Sequence, residues 1–335
     1  MGDSMENIIK EDDFFKYYEL SLSNKISEKD CLELYEKDTY FLIYLAYSIK
    51  KYIWKKNNIE VIDLCSIINA KSGKCPENCI FCSQSIYNNT NIPVYGLLSK
   101  NKILSYAKSL DKYANRFSIV VSGKSLSDGE FEHIVDTVKL LKKETNLNIC
   151  LSLGELSLDR LKILKELNVR IHHNLETSMD YFPNICTTHT YNDKLKTLLN
   201  CKKLKLDICS GGLFGLGESR KDRIKLFMDL KKIGVKGVPL NFIHPIEGTK
   251  IYKKIVRNEI DKLSTDEILK TIAIGKICLP YSEIRLCGGR HHNLGELQVL
   301  SLPMLDGLMI GNYLTTKGRE VEKDIKILKK MNLLK

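Results

Sequence analysis

The sequence predicts an α/β chain closed into a (β/α)8 barrel of the TIM type, with a helical extension before it and a helix after it. Three observations predict this. Eight short apolar or β-branched runs begin near residues 61, 116, 148, 169, 205, 236, 282 and 306. Most are followed by a helix-like stretch of about ten to fifteen residues, and strands alternating with helices call for a parallel sheet. Eight such units over about 250 residues suit a closed barrel better than a doubly wound sheet. The 335 residues, 43% hydrophobic and 28% charged, have an ordinary globular balance.

Taken in order, residues 1–58 are polar and helical in period, with a Tyr/Leu/Ile stripe through residues 38–51. They are predicted to form an extension packed on a barrel of residues 59–318. Helices are expected over residues 128–143, 159–167, 191–201, 218–233 and 265–277. Residues 319–335 read as a terminal amphipathic helix. The strands carry a second message, because their side chains alternate between faces. Ile149 and Leu151 oppose Cys150 and Ser152; Ile171, His173 and Leu175 oppose His172, Asn174 and Glu176. Leu206 and Ile208 oppose Asp207 and Cys209, and Ile284 and Leu286 oppose Arg285 and Cys287. One face can pack on helices. The other is polar, and if it points inward the barrel holds a polar cavity. The competing reading is an antiparallel sheet with one wet face.

Charge excludes less than it first suggests. Lys and Arg number 52 against 41 Asp and Glu, a net +11. The lysines come as scattered doublets such as Lys142-Lys143 and Lys253-Lys254, so they read as solvated faces and predict no nucleic-acid partner. No apolar run reaches the roughly 18 residues of a membrane span. The first residues lack a basic and an apolar region, so no secretory leader is expected and a cytoplasmic location is. In a reducing compartment, clustered thiols more often bind metal or do chemistry than pair as disulfides.

The strongest motif is Cys75-Pro76-Glu77-Asn78-Cys79-Ile80-Phe81-Cys82, a C-x3-C-x2-C spacing after the first strand, read as residues 61–67. A barrel places its active site at that end. Three thiolates so close could hold zinc, but a structural zinc wants a fourth ligand and no second pair lies nearby. Three cysteines on a [4Fe–4S] cluster leave one iron open to a substrate. The spacing is that of the radical S-adenosylmethionine superfamily. The flanking run from Lys74 to Ser85 closely resembles the biotin synthase family. So do Asn174-Leu175-Glu176-Thr177-Ser178, the run from Cys209 to Glu218, Arg285-Leu286-Cys287-Gly288-Gly289-Arg290, and Gly311-Asn312-Tyr313-Leu314-Thr315-Thr316. These motifs keep a consistent order from about residue 67 to the C-terminus.

The resemblance implies a homodimeric barrel that converts dethiobiotin to biotin. It implies a [4Fe–4S] cluster, S-adenosylmethionine cleaved to a 5′-deoxyadenosyl radical, and an auxiliary iron–sulfur cluster that donates sulfur. An electron donor such as flavodoxin or ferredoxin and the iron–sulfur assembly machinery would be partners. Residue by residue, Cys75, Cys79 and Cys82 match the cluster ligands and Phe81 the aromatic beside the adenine. Asn174 and Glu176 match groups on the ribose and amino group. Here the family usually has Asp where this chain has Glu176, and Asn where it has His172. Lys194 falls where an Arg commonly meets the methionyl carboxylate; a Lys is a point charge instead of a fork. Gly211, Leu213, Gly215 and Glu218 match a pattern placed against the cofactor. Asn241 matches a residue on the ureido group of dethiobiotin, and its amide offers the donor and acceptor such a ring requires.

At the auxiliary cluster the chain departs from the family pattern. Cys150, Cys209 and Arg285 are present, but Ser118 stands where a cysteine is expected on the second strand. Cys287, two residues beyond Arg285 and so on the same strand face, is expected to supply the missing thiolate. Cys31, Cys65, Cys186, Cys201 and Cys278 read as small buried hydrophobes, and His291-His292 as solvent-exposed. The runner-up is another radical enzyme of the same clan, of the kind that makes methylornithine or a hydrogenase cofactor ligand. A basic zinc or RNA-binding protein is the alternative from another class.

Overall fold

The computed structural model describes residues 11–335; the N-terminal residues read above for a leader, and the first part of the predicted extension, lie outside the described residues. Three helices come first: α1 (Glu11–Leu22), α2 (Glu28–Tyr35) and α3 (Thr39–Lys56). Ser27 starts α2 with a reciprocal capping box to Asp30, and the Asp38 carboxylate caps α3. The Tyr/Leu/Ile stripe divides: Leu42, Leu45, Ala46 and Ile49 are fully enclosed on the buried face of α3, while Tyr40, Tyr44 and Tyr47 are exposed. Trp54 fastens this extension to the barrel, its indole N–H donating to Asp306 at 2.7 Å.

The strands are β1 (Asp63–Lys71), β2 (Arg116–Val121), β3 (Asn148–Ser152), β4 (Arg170–His172), β5 (Asp207–Cys209), β6 (Gly212–Phe214), β7 (Gly237–Phe242), β8 (Glu283–Leu286) and β9 (Gly307–Met309). Between them lie α4 (Lys100–Leu110), α5 (Asp128–Glu144), α6 (Leu158–Glu166), α7 (Tyr191–Lys203), α8 (Arg220–Ile233), α9 (Lys250–Val256), α10 (Thr265–Cys278) and α11 (Arg290–Leu294). The helix α12 (Val321–Lys330) ends the chain. The strand pairings are parallel and run in chain order from β1 to β5, then β7, β8, β9 and back to β1. The antiparallel alternative is thereby excluded. β5 and β6 are two halves of one stave, broken at Ser210-Gly211, so the barrel has eight staves.

Two boundaries differ from expectation. The first strand runs on to Lys71 instead of ending at Ile67, because β2 pairs with it as far as Val121. The fourth ends at His172, so Asn174 and Glu176 lie beyond it. There the N–H groups of Leu175 and Glu176 both turn to the carbonyl of Gly211, at 3.1 and 3.2 Å, which ends the ladder.

The register stacks the inward side chains in layers. In a barrel of this kind, level residues advance about one position per strand, and a layer takes four side chains from alternate strands. Asp63, Asp207 and Glu283 lie lowest, with Arg116 and Arg170 in the layer above. Arg170 donates to Asp207 and Glu283, each at 2.8 Å, and Arg285 reaches down to Asp63 at 2.5 Å. Three arginines and three acids thus close the barrel floor as an alternating network. Gly237 and Gly307 occupy the remaining two places in the arginine layer. A Cβ there would sit 2.9 Å from the Arg170 guanidinium and 2.6 Å from that of Arg285, so only glycine leaves room for both. Outside the strands, Ile149, Leu151, Ile171, Ile208, Ile284 and Leu286 pack on the helices in the apolar core.

Candidate active site

Above the floor lies a cavity of about 340 Å³. The polar strand face does line it: Ser118, Cys150, Ser152, His172, Asn174, Glu176, Cys209, Asn241, Arg285 and Cys287 all contribute. Phe81, Cys82 and Tyr313 wall it as well.

The three-cysteine loop is held by main-chain hydrogen bonds and by the side chains of Glu77, Asn78, Ser85 and Asn88. Cys82 N–H donates to the Cys79 carbonyl at 3.2 Å, and Cys75 N–H to the Gln84 carbonyl at 3.0 Å. The Asn88 side-chain amide donates to the carbonyls of both Cys79 and Cys82, at 3.1 and 2.8 Å. Burial pushes Cys75 up and Cys82 up to about 11. A metal centre that takes thiolates removes that penalty.

Cys186 is more than a buried hydrophobe. It lies beside the loop, its thiol 3.2 Å from His189 Nδ1 and 3.3 Å from the Asn78 side-chain oxygen. Its hydrogen bond with Cys79, and those with His189 and Thr188, pull it down to about 3, while burial opposes. The same contact with Cys79, together with burial, pushes Cys79 up. Cys79, Cys186 and His189 bring their ligand atoms within 4.8 Å of one another. Of the other cysteines set aside, Cys201 is in the apolar core. Cys31 and Cys278 are fully buried, their sulfurs 2.9 Å apart.

Glu176 is the strained residue of the site. Its φ is +73°, a left-handed conformation that non-glycine residues seldom adopt and that tends to be kept at functional positions. It is held there by an isolated pairing with Gly212. Burial pushes its carboxyl up, against the pull of Lys194 and His172. Asn174 is fixed at both ends, accepting from Gly211 N–H at 3.0 Å and donating to Glu176 at 3.4 Å. Asn241 likewise donates to the Gly212 carbonyl at 3.2 Å and accepts from Gly288 N–H at 2.9 Å. Each amide end still has one unused hydrogen or lone pair.

The glycine-rich run divides. Leu213 lines the cavity. Glu218, expected against a cofactor, turns away from it. Its carboxylate accepts from the N–H groups of Gly215 and Leu216 and pairs with the buried Arg223 at 2.8 Å. It fixes the turn in which Gly215 has φ +90°. Gly211 and Gly215 act through backbone only, and Lys194, in the first turn of α7, stands behind the cavity wall.

Deeper, Cys209 and Cys150 form one thiol pair. The bond from Cys150, with Arg170 and Arg285 near, pulls Cys209 down; the same bond and burial push Cys150 up. Cys287 packs on Cys65 and Met309. Cys65 is therefore a cavity residue that sequence reasoning set aside, and Arg116, Asp63 and Tyr313 were also missed. The alternation that marked the other strands was available for Cys65, since Cys65, Ile67 and Asn69 share a face, but a cysteine between apolar neighbours gives no polar signal.

Residues 70–230 match the radical SAM superfamily, and residues 239–334 the biotin and thiamin synthesis associated domain. A biotin synthase of Methanococcus maripaludis is 52% identical over 98% of this chain and 99% of its own. One of Methanocaldococcus jannaschii is 51% identical over 92% of this chain and 95% of its own. This chain belongs to the biotin synthase family. A family member from Acetivibrio thermocellus is 46% identical over 83% of this chain and 86% of its own. Among solved structures, methylornithine synthase aligns with TM-score 0.79 at 16% identity, covering 95% of this chain and 96% of that one. The hydrogenase maturase of Carboxydothermus hydrogenoformans aligns with TM-score 0.77 at 17% identity, covering 96% and 78%. At such identities these neighbours share the barrel fold with the family, and the runner-up reading has no support beyond that. Among the described residues no helix is long and apolar enough to cross a membrane.

Proposed function

We propose that this chain inserts sulfur into dethiobiotin to form biotin by radical chemistry inside the barrel. The observation that carries the reading is one cavity whose wall joins Cys82 and Phe81 of the loop to Cys150, Cys209 and Cys287 of the strands. When bound, a [4Fe–4S] cluster with S-adenosylmethionine supplies a 5′-deoxyadenosyl radical, and an auxiliary iron–sulfur cluster supplies sulfur. The donor sets fit: both are soft thiols, as iron–sulfur centres require. Cys75, Cys79 and Cys82 hold the first centre; Cys150, Cys209 and Cys287, beside Arg285, belong to the second.

Phe81, Leu213, His172, Asn174 and Glu176, with the backbone of Gly211 and Gly215, form the S-adenosylmethionine side, and Lys194 adds positive charge from behind. Glu218 supports that side by shaping its turn. The free valences of Asn241 face the ureido ring of dethiobiotin. The Tyr313 hydroxyl is buried on the wall without a partner, which suits a group kept for a bound molecule. A reactive carbon radical has to be kept from water, and the closed floor supports that enclosure. On this reading the extension is residues 1–58, the barrel 59–318 and the terminal helix 319–335. The enzyme works in the cytoplasm as a homodimer, with a flavodoxin- or ferredoxin-type electron donor and the iron–sulfur assembly machinery as partners. Anaerobic turnover with dethiobiotin, S-adenosylmethionine and a reductant tests it. Biotin together with 5′-deoxyadenosine is the expected result; 5′-deoxyadenosine without biotin would refute the substrate.

A further inference from the structure

Ser118 leaves the auxiliary site one thiolate short, and the barrel register shows where another comes from. Cys65 on β1 is level with Arg116 on β2 and Asn148 on β3 in the hydrogen-bond ladder. Allowing about two positions of advance over two strands, its partner in the same layer is Cys150. The same step takes Cys150, through Arg170 and Asp207, to Cys209. From Cys209, through Gly237 and Glu283, it reaches Arg285. From Arg285, through Gly307 and Asp63, it returns to Cys65. The circle closes on itself. Cys65, Cys150, Cys209 and Arg285 are therefore one layer, drawn from alternate staves and directed to one point on the barrel axis. Ser118 belongs to the next layer up, with His172, Pro239 and Met309.

Arg285 is in that layer but its guanidinium is engaged below it. It donates to the carboxylate of Asp63 at 2.5 Å and to the Asp63 carbonyl at 3.0 Å. Its donors are thus turned to Asp63, below the layer and away from the point where the thiols converge. The corner it vacates is covered by Cys287, two residues further along the same face, which packs directly on Cys65. Its thiol is hydrogen-bonded with that of Cys65 and makes a weak contact to the Arg285 carbonyl at 3.8 Å.

We propose that Cys65 replaces the thiolate missing at Ser118, so that the second iron–sulfur centre is held by Cys65, Cys150, Cys209 and Cys287, with Arg285 as a counter-charge and not a ligand. This rests on the reading of the chain as a two-centre enzyme. The chemistry is ligand exchange at iron, with no change of redox state: the thiol S–H bond gives its proton to solvent, an Fe–S bond forms, and the water that iron carried into the site leaves.

The test is anaerobic reconstitution of the full chain with 57Fe and sulfide, read by iron and sulfide content and by Mössbauer spectra. Circular dichroism and thermal melting report the fold. Cys65→Ala and the near-isosteric Cys65→Ser are expected to lose the iron and the spectrum of the second centre while keeping those of the loop centre. Arg285→Lys, which keeps the charge, is expected to retain both centres. Cys65→Ala combined with Ser118→Cys is expected to regain the second centre. Cys201→Ala, a change in the apolar core, is the control and should match the unaltered chain. Wild-type iron, sulfide and spectra in both folded Cys65 variants would overturn the assignment. A single centre in the unaltered chain would overturn the two-centre reading itself.

Discussion

The loop cysteines lie within eight residues, Cys75 to Cys82, whereas those of the cavity wall are spread from Cys65 to Cys287. The two sets are positioned by different physics. In the loop, main-chain N–H groups and the Asn88 amide fix each carbonyl, so the thiols are presented by local geometry. On the wall Cys65, Cys150 and Cys209 each sit on a strand of their own and Cys287 just past the end of β8, and only closure of the barrel brings the four together. One set can be cut by a single side chain without touching the scaffold. The other shares its scaffold with the ionic floor directly beneath it.

The largest effect should come from the loop. Cys79→Ala is expected to reduce 5′-deoxyadenosine formation to background while the melting temperature stays near that of the unaltered chain. A large fall in melting temperature would show that the loop is not separable from the fold. Next comes the turn that shapes the rim. Glu218 and Arg223 are both almost wholly buried, and breaking such a pair costs about 3–5 kcal/mol. Glu218→Ala should lower the denaturant midpoint accordingly, with the slope unchanged.

At the floor, Arg170→Met should cost about 3 kcal/mol, the lower end of that range, because Asp207 and Glu283 keep about a third of their side-chain surface in water. The same variant should also lower iron retention at the wall and not at the loop, which sharpens the contrast between the sets. The smallest effect is expected between them. Asn241→Leu strips the partner from a bound polar ring, a loss of about 1–3 kcal/mol. Equilibrium titration should show it for dethiobiotin and not for S-adenosylmethionine; an equal loss for both would remove Asn241 from the ureido role.

The same contrast explains what could be read in the sequence. The loop was legible because its spacing is contiguous. The eight staves were legible because apolar runs alternate with helical periods, and all eight predicted starts fall within two residues of an observed strand. The inward polar face was legible wherever a cysteine, asparagine or arginine interrupts an apolar run. Cys65 was not, since Leu64, Ile67 and Ile68 around it hide the alternation and its neighbours across the barrel lie at least 85 positions away. Glu218 was misplaced for a related reason. A motif match gives the residue but not the direction of its side chain, and the nearest unsatisfied groups were the N–H groups of its own turn.

The ionic floor also bears on how the chain reaches its native state. Arg170 to Asp207 spans 37 positions, Arg170 to Glu283 spans 113, and Asp63 to Arg285 spans 222. As the polypeptide emerges from its N-terminus, Asp63, Arg116, Arg170 and Asp207 arrive first, two acids and two bases already in balance. Glu283 and Arg285 then arrive together, again one of each sign. At neither stage does the growing floor carry uncompensated charge into the interior. The last contacts to form join the first strand to the eighth stave's neighbour, and their long loop closure makes them a late and slow event. The network thus works as a clasp fastened at the end of folding, one that the half-made barrel can wait for without electrostatic penalty.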